Sequence, residues 1–147
     1  MTPDVNVLVA AAIADHSLHE PAYAWLEEAT AASALGARLA ILPMVAAGFL
    51  RIVTHPRIFA RPTTADAAIA FVQAVLSAPG VHMPELASEW AVLCQLCGAG
   101  RLSGNRIPDA WIAAAVIATG DHLVTFDKGF RSLLPRRALT LLAAEGA

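Results

Sequence analysis

Short apolar runs alternate with longer amphipathic stretches along most of the chain. Short runs rich in β-branched residues predict buried strands, whereas apolar residues that recur every three or four positions predict helices. The predicted strands cover residues 1–9, 39–42, 81–83, 122–125 and 138–142. The predicted helices cover residues 15–36, 43–52, 63–76, 85–97 and 108–119, with a glycine-containing loop at 98–104 and a turn or short helix at 128–134.

This alternation of strands and helices predicts an α/β fold with a mainly parallel central sheet. A chain of 147 residues suits one domain with a proper core. We find no linker and no internal repeat, so we expect a single domain over residues 1–147.

The composition is apolar, with 57% hydrophobic residues, yet it does not predict a membrane protein. The most apolar window, residues 67–84, is interrupted by Gln, Ser, Pro, Gly and His, which argues against a membrane span. The first residues lack the basic start and the cleavage site of a signal peptide. We therefore expect a cytoplasmic location.

The net charge of −2 is unevenly distributed along the chain. Residues 1–37 carry five acids and no Lys or Arg, whereas the remainder carries seven acids and all ten strong bases. Nine of those ten bases are Arg, whose guanidinium can hold a phosphate through two parallel hydrogen bonds. This distribution permits a nucleic-acid partner, although solvated surface arginines would explain it equally well.

Two small clusters of metal-binding residue types occur outside the acidic positions discussed below. Cys94 and Cys97 form a CxxC sequence without a second pair, and we interpret them as small hydrophobes on one face of a helix. His16 and His19 stand three apart near the start of the second element. They could form a metal clip, but an exposed first helical turn is the simpler interpretation.

Three acids stand at the edges of apolar elements. Asp4 lies in the first run, Asp109 lies in the first turn of its helix, and Asp127 directly follows the strand at 122–125. In parallel sheets, functional groups collect beyond the carboxyl ends of the strands. The alternatives remain that Asp4 caps a turn and that Asp109 only complements its helix dipole.

If these three carboxylates converge, a hard divalent cation would relieve their mutual repulsion. Carboxylate oxygens and water favour Mg²⁺ or Mn²⁺ over zinc. Such an ion activates water and neutralises phosphoryl oxygens, as the cutting of a phosphodiester requires. The polar neighbours Asn6, Asn105 and Thr125 could orient ligands or water, or could serve as local turn and cap residues.

Four motifs in order resemble the PIN-domain ribonucleases of the VapC toxin type: PDVNVLV, GFLRIVTHPRIF, IPDAWIAAAVIATG and LVTFDKGF. The resemblance implies a three-layer α/β/α domain, a Mg²⁺- or Mn²⁺-dependent endoribonuclease, and inhibition by a small antitoxin. It places the catalytic and metal-binding acids of the family on Asp4, Asp109 and Asp127, and their polar neighbours on Asn6 and Thr125. It also implies a homodimer and a groove for an antitoxin helix.

One departure from the family weakens the analogy. The family usually carries a Glu in the second helix just before the segment GFLRI, where this chain has Val45, Ala46 and Ala47. The chain could therefore be a weakened nuclease, or a degenerate PIN-fold protein that binds antitoxin or RNA with little or no cleavage.

Three functions are therefore compared: an endoribonuclease, the degenerate binding protein and an aspartyl phosphotransferase. The leading hypothesis is an endoribonuclease in which arginines bind the RNA backbone with little sequence preference. The candidates for that contact are Arg51, Arg57, Arg106 and Arg131. An aspartyl phosphotransferase with Asp4 as nucleophile fits less well, because Asn6 stands where a second Asp is usual and Lys128 is the only lysine.

Overall fold

A parallel sheet runs through the protein in a computed structural model that describes residues 1–143. The strands are β1 (Thr2–Pro3), β2 (Leu39–Ala40), β3 (Val81–His82), β4 (Leu123–Thr125) and β5 (Leu139–Leu141). Strand β1 pairs with β4 and β4 with β5, whereas β2 pairs with β3. The Ala40 N–H donates to the Met1 carbonyl at 2.9 Å and thereby joins the two groups in the order β3-β2-β1-β4-β5.

Helices connect these strands, as the alternating pattern predicts. The helices are α1 (Val5–Ala12), α2 (His19–Ala34), α3 (Pro43–Val53), α4 (Ala65–Leu76), α5 (Glu89–Gly100) and α6 (Arg106–Thr119), and 3₁₀ turns cover Lys128–Ser132 and Arg136–Ala138. Pro43 begins α3, where its missing N–H costs nothing, and Gly120 ends α6 in the left-handed conformation with φ 66°.

The prediction of one strand over residues 1–9 is wrong. Only Thr2–Pro3 forms a strand, and the β-branched sequence that follows folds as α1. All five residues from Val7 to Ala11 are buried and apolar, so this stretch has no helical periodicity that would distinguish it from a buried strand. Asp4 therefore stands at the end of β1 and not near the start of a longer strand.

The predicted boundary between the helix at 85–97 and the loop at 98–104 is also wrong. Helix α5 begins four residues later, at Glu89, and continues through Gly98 to Gly100. Two glycines inside a helix are unfavourable by propensity, but Leu93 packs against Ala110 and Ala114 of α6 and stabilises the longer helix. Arg101, with φ 47°, provides the left-handed end.

The core lies between the sheet and its helices. Phe49 of α3 and Phe130 after β4 are among the largest fully buried side chains, together with Leu8 and Leu42. Within residues 1–143, no helix combines the length and the apolar character needed to cross a membrane.

Gly48 allows α3 to approach α1 closely. A Cβ at this position would lie 2.8 Å from Val5 Cγ2, which is closer than carbon atoms tolerate. We predict that Gly48→Ala lowers the free energy of unfolding by about 1–3 kcal/mol, because the two helices must separate. Urea denaturation monitored by circular dichroism measures the change.

Gly98 of α5 is the matched control, since a Cβ there would meet no atom within 4 Å. Gly98→Ala should leave stability unchanged or raise it by up to about 1 kcal/mol, because alanine has the higher helix propensity. Equal effects of the two substitutions would contradict the proposed close approach.

Candidate functional site

Three acidic residues meet at the carboxyl-terminal edge of the sheet. Asp4 follows β1, and Asp127 comes two residues after the end of the neighbouring parallel strand β4. Helix α6 leads back to the start of β4, so its first turn, which holds Asp109, begins at the same edge. The parallel topology thus brings Asp4 to the same edge as two acids that lie more than 100 residues later in the sequence.

Asp4 is 5% exposed, and three donors hold its carboxylate. Oδ1 accepts the Val5 N–H at 2.6 Å, which caps α1. Oδ2 accepts the Asn6 amide at 2.7 Å and the Thr125 hydroxyl at 2.6 Å. Since a carboxylate can accept about four hydrogen bonds, one acceptor position remains, on Oδ1.

Thr125 connects the first acid to the last. Its Oγ1 donates to Asp4 and accepts both the Asn6 amide and the backbone N–H of Asp127, each at 2.9 Å. The backbone N–H of Phe126 adds a longer bond to Asn6 Oδ1, at 3.3 Å. This network fixes the end of β1 against the end of β4.

The electrostatics of the site disfavour three simultaneous negative charges. Burial raises the pKa of Asp4 to about 6; the hydrogen bonds from Thr125 and Val5 oppose this rise, and the charges of Asp109 and Asp127 add to it. Burial also raises the pKa of Asp109, as does Asp127, whereas the nearby Arg106 lowers it. Two of the three carboxyl groups are therefore harder to ionise than in water.

Asp127 is exposed and begins the 3₁₀ turn at Lys128–Ser132. Its Oδ1 accepts the Gly129 N–H at 2.6 Å. Arg106 reaches the same turn and donates from Nη2 to Ser132 Oγ at 2.8 Å, whereas its buried Nε–H has no partner among the described residues. No ion pair within 4 Å involves any of the three acids in the described part of the chain.

All three acids line one open cavity of about 840 Å³. The polar part of its wall also includes Asn6, His16, Arg51 and Asn105. The rest is largely apolar and comes mainly from α3 and α6, with smaller contributions from α1 and α5; it includes Val5, Val9, Met44, Ile52, Leu93, Ile107, Trp111 and Ile112.

The other predicted site residues lie outside this wall. Thr125 is fully buried and acts through its hydrogen bonds to Asp4 and Asn6. Arg57 lies in the loop after α3, and Arg131 is exposed near the end of the 3₁₀ turn. None of the three arginines Arg57, Arg106 and Arg131 lines the cavity, although Arg106 precedes Ile107 and Asp109, which do.

The donor set fits a hard divalent cation that keeps part of its water shell. Carboxylate and amide groups line the cavity; burial is the main cause of the raised pKa of Asp4 and Asp109, and the charges of the neighbouring acids add to it. Among residues 1–143, however, no three acidic, histidine or cysteine side chains stand close enough to form a finished metal cage. Mg²⁺ is commonly held by one or two carboxylates with water in the other positions, which suits this open arrangement.

The two histidines do not form a metal clip. His19 Nδ1 lies 3.0 Å from the Ala10 carbonyl at the end of α1, so it must donate there. His16 Nδ1 instead accepts the Leu18 N–H at 3.1 Å, and His16 lines the cavity. The expected exposed helical turn is also wrong, because both residues are half-buried and His16 precedes α2.

The cysteines match the expected apolar role only in part. Cys97 packs between α5 and α6 against the cluster of Leu93, Ala110 and Ala114. Cys94 is exposed.

The α3 wall of the cavity was not predicted, although its spacing carries a signal. Met44, Ala47, Gly48 and Arg51 recur at intervals of three and four and all face the cavity. Of the three residues in place of the family's usual Glu, only Ala47 lines the cavity, whereas Val45 and Ala46 are buried.

Comparisons with known proteins identify the family to which the sequence is related. The family model described as PIN domain matches residues 1–133. Ribonuclease VapC31 of Mycobacterium tuberculosis is 37% identical over 131 residues, which cover 86% of this chain and 88% of that protein. Ribonuclease VapC25 of the same organism is 35% identical over 129 residues, with the same coverage of each chain.

A solved structure shares the fold. The crystal structure of VapBC2 from Rickettsia felis, bound to a DNA fragment from its promoter, matches with a TM-score of 0.65 at 20% identity. The match covers 97% of this chain and 98% of that one, and it confirms the expected PIN-like α/β architecture. From the family-model match and the two curated relatives, we conclude that this chain belongs to the PIN-domain family.

Proposed function

We propose that this protein is a divalent-metal-dependent endoribonuclease, the toxin of a VapBC-type toxin–antitoxin pair. The observation that carries the proposal is the convergence of Asp4, Asp109 and Asp127 on one open cavity, with no cation of the chain paired to any of them among the described residues. The similarity to VapC ribonucleases supports RNA as the substrate.

The three acids would hold Mg²⁺ or Mn²⁺ in this proposal. When bound, such an ion lowers the pKa of the attacking water and neutralises charge on the phosphoryl oxygens. Asn6 and Thr125 keep the Asp4 carboxylate in one orientation through their bonds to Oδ2. Asn105, just before α6, adds an amide to the same wall and could orient water or substrate.

Arginines provide the contacts for an RNA backbone. Arg51 lines the cavity from the last turn of α3, and Arg106 lies at the start of α6, next in sequence to the lining residue Ile107. Arg57 and Arg131 are exposed and do not line the cavity, so they would contact flanking phosphates. Such contacts predict affinity that falls with salt and depends little on sequence.

The apolar wall supports a protein partner at the same cavity. Trp111 lines the wall and is 43% exposed, and Met44, Ile52 and Leu93 line it as well. We propose that an apolar segment of a small antitoxin docks there and blocks the acids, and that two copies of the chain form a dimer. The VapBC complex among the structural neighbours supports such a pairing.

A comparison of two aspartates tests the metal site. Asp109 and Asp66 both lie in the first turn of a helix, but only Asp109 lines the cavity. We predict that Asp109→Asn weakens Mn²⁺ binding by at least about tenfold and lowers RNA cleavage with it, because a ligand is lost. Calorimetric Mn²⁺ titration and cleavage of a mixed pool of single-stranded oligoribonucleotides measure the two effects.

Asp66→Asn is the control and should change neither quantity, since it removes only a favourable charge near a helix start. If the two variants behave equally, Asp109 only interacts favourably with the dipole of its helix, and its proposed role as a metal ligand is wrong. Wild-type protein that binds Mn²⁺ and RNA without cutting would identify a degenerate member of the family.

The raised pKa of Asp4 predicts an unusual pH dependence of stability. The native carboxyl has a pKa of about 6 against its ordinary value of 3.8, so the folded protein holds this proton more tightly than the unfolded chain. Without metal, its contribution to stability is fully present below pH 3.8 and is lost as the pH rises through 6. The loss is on the order of 3 kcal/mol.

Urea unfolding at several pH values between 4 and 7.5 measures this slope. Asp4→Asn should remove most of it, and saturating Mn²⁺ should oppose it, because the cation favours the ionised carboxylate. An unchanged slope in the Asn variant would show that other groups cause the pH dependence.

Ala47 provides a test by gain of a ligand. It faces the cavity at the segment where related proteins usually carry a Glu, so Ala47→Glu adds a fourth carboxylate to the same wall. We predict about tenfold tighter Mn²⁺ binding and faster RNA cleavage, since affinity for such ions rises with the number of charged ligands. Ala74→Glu, on an exposed position of α4 away from the cavity, should leave both unchanged.

A further inference from the structure

His16 presents a hydrogen-bond donor to the cavity. The residue lies in the connection between α1 and α2, and it lines the same cavity as the three acids. Its Nδ1 accepts the backbone N–H of Leu18 at 3.1 Å. A neutral imidazole carries one proton, so the occupied acceptor at Nδ1 places that proton on Nε2.

Backbone hydrogen bonds fix the turn that carries His16. The backbone of His16 is held on both sides, since its N–H donates to Ile13 and its carbonyl accepts the His19 N–H, each at 2.9 Å. No hydrogen bond or ion pair occupies Nε2 among the described residues. The donor is therefore available to a molecule that enters the cavity.

We propose that His16 Nε2–H donates to a phosphate oxygen of bound RNA and positions the strand across the acids. This inference rests on the proposed ribonuclease function. The acceptor in this proposal is a phosphate oxygen. The three carboxylates repel the negative charge of a phosphate, so donors on the cavity wall are needed to hold it there. Arg51 is the charged donor of this wall, and His16 adds a neutral one.

Two substitutions separate the two ring nitrogens. In His16→Asn, the amide oxygen can replace Nδ1 as the acceptor for the Leu18 N–H, as in an Asx turn, but nothing replaces Nε2. In His16→Gln, the longer amide can present an N–H near the position of Nε2 but no longer accepts at the turn. If His16 positions RNA, His16→Asn should lose more RNA affinity than His16→Gln. If His16 only holds the turn, His16→Gln should lose more.

The experiment measures RNA affinity by fluorescence anisotropy on a labelled single-stranded oligoribonucleotide, together with kcat and KM for its cleavage. For His16→Asn, we expect about tenfold weaker binding and a correspondingly higher KM with little change in kcat, because a hydrogen bond to a charged group is lost. His16→Gln should stay within about threefold of wild type in affinity. The reverse order, or wild-type affinity in His16→Asn, would overturn the proposal.

His55 is the matched control. Its Nδ1 accepts the Arg57 N–H at 3.1 Å in the same local pattern, but it lies in the loop after α3 and does not line the cavity. His55→Asn should leave affinity and KM unchanged. A similar loss in this variant would show that any change at a histidine turn weakens binding, and the proposal would fall.

Salt dependence distinguishes the neutral donor from a cation. Removing a charged phosphate contact lowers the slope of log affinity against log salt concentration by about 0.7 for a single strand. We expect that decrease for Arg51→Gln and no change of slope for His16→Asn. If wild-type protein binds no RNA at all, the proposed function itself fails, whereas binding that His16→Asn leaves intact overturns only the role of His16.

Discussion

The burial of one carboxylate, that of Asp4, governs how this site is built. An ionised group in the interior is costly unless donors surround it. The chain supplies three: the first N–H of α1, the Asn6 amide and the Thr125 hydroxyl. The first two are local to Asp4, but the Thr125 hydroxyl reaches it only when β1 and β4 are paired in register, so formation of the central sheet completes the site.

The same arrangement leaves charge that the protein does not itself neutralise. Asp109 and Asp127 add to the field at Asp4, and no ion pair in the described chain relieves any of the three acids. Arg106 lies near enough to lower the pKa of Asp109 but donates to Ser132 instead of an acid. A cation from solution is the natural complement to such a site, and the open wall leaves room for its water shell.

The cavity has two chemically different sides. The ends of β1 and β4 and the start of α6 supply the carboxylates, whereas α3 supplies a largely apolar surface that includes the small residues Ala47 and Gly48. The acidic side suits a metal and a scissile phosphate. The apolar side, continued by Trp111, suits bases or a segment of a protein partner, so substrate and inhibitor would compete for one surface.

The sequence alone determined the alternating α/β order, the parallel sheet and three acids at element edges, because periodicity and helix-cap chemistry are local properties. It also identified the PIN family through four motifs, which the family model and the curated relatives confirm. It could not determine that residues 5–12 form a helix, since the apolar run from Val7 to Ala12 has no polar periodicity and fits either element. Nor could it place Asp4 at a strand end, Thr125 between Asp4 and Asp127, or His16 on the cavity wall, because those relations join residues that only the folded sheet brings together.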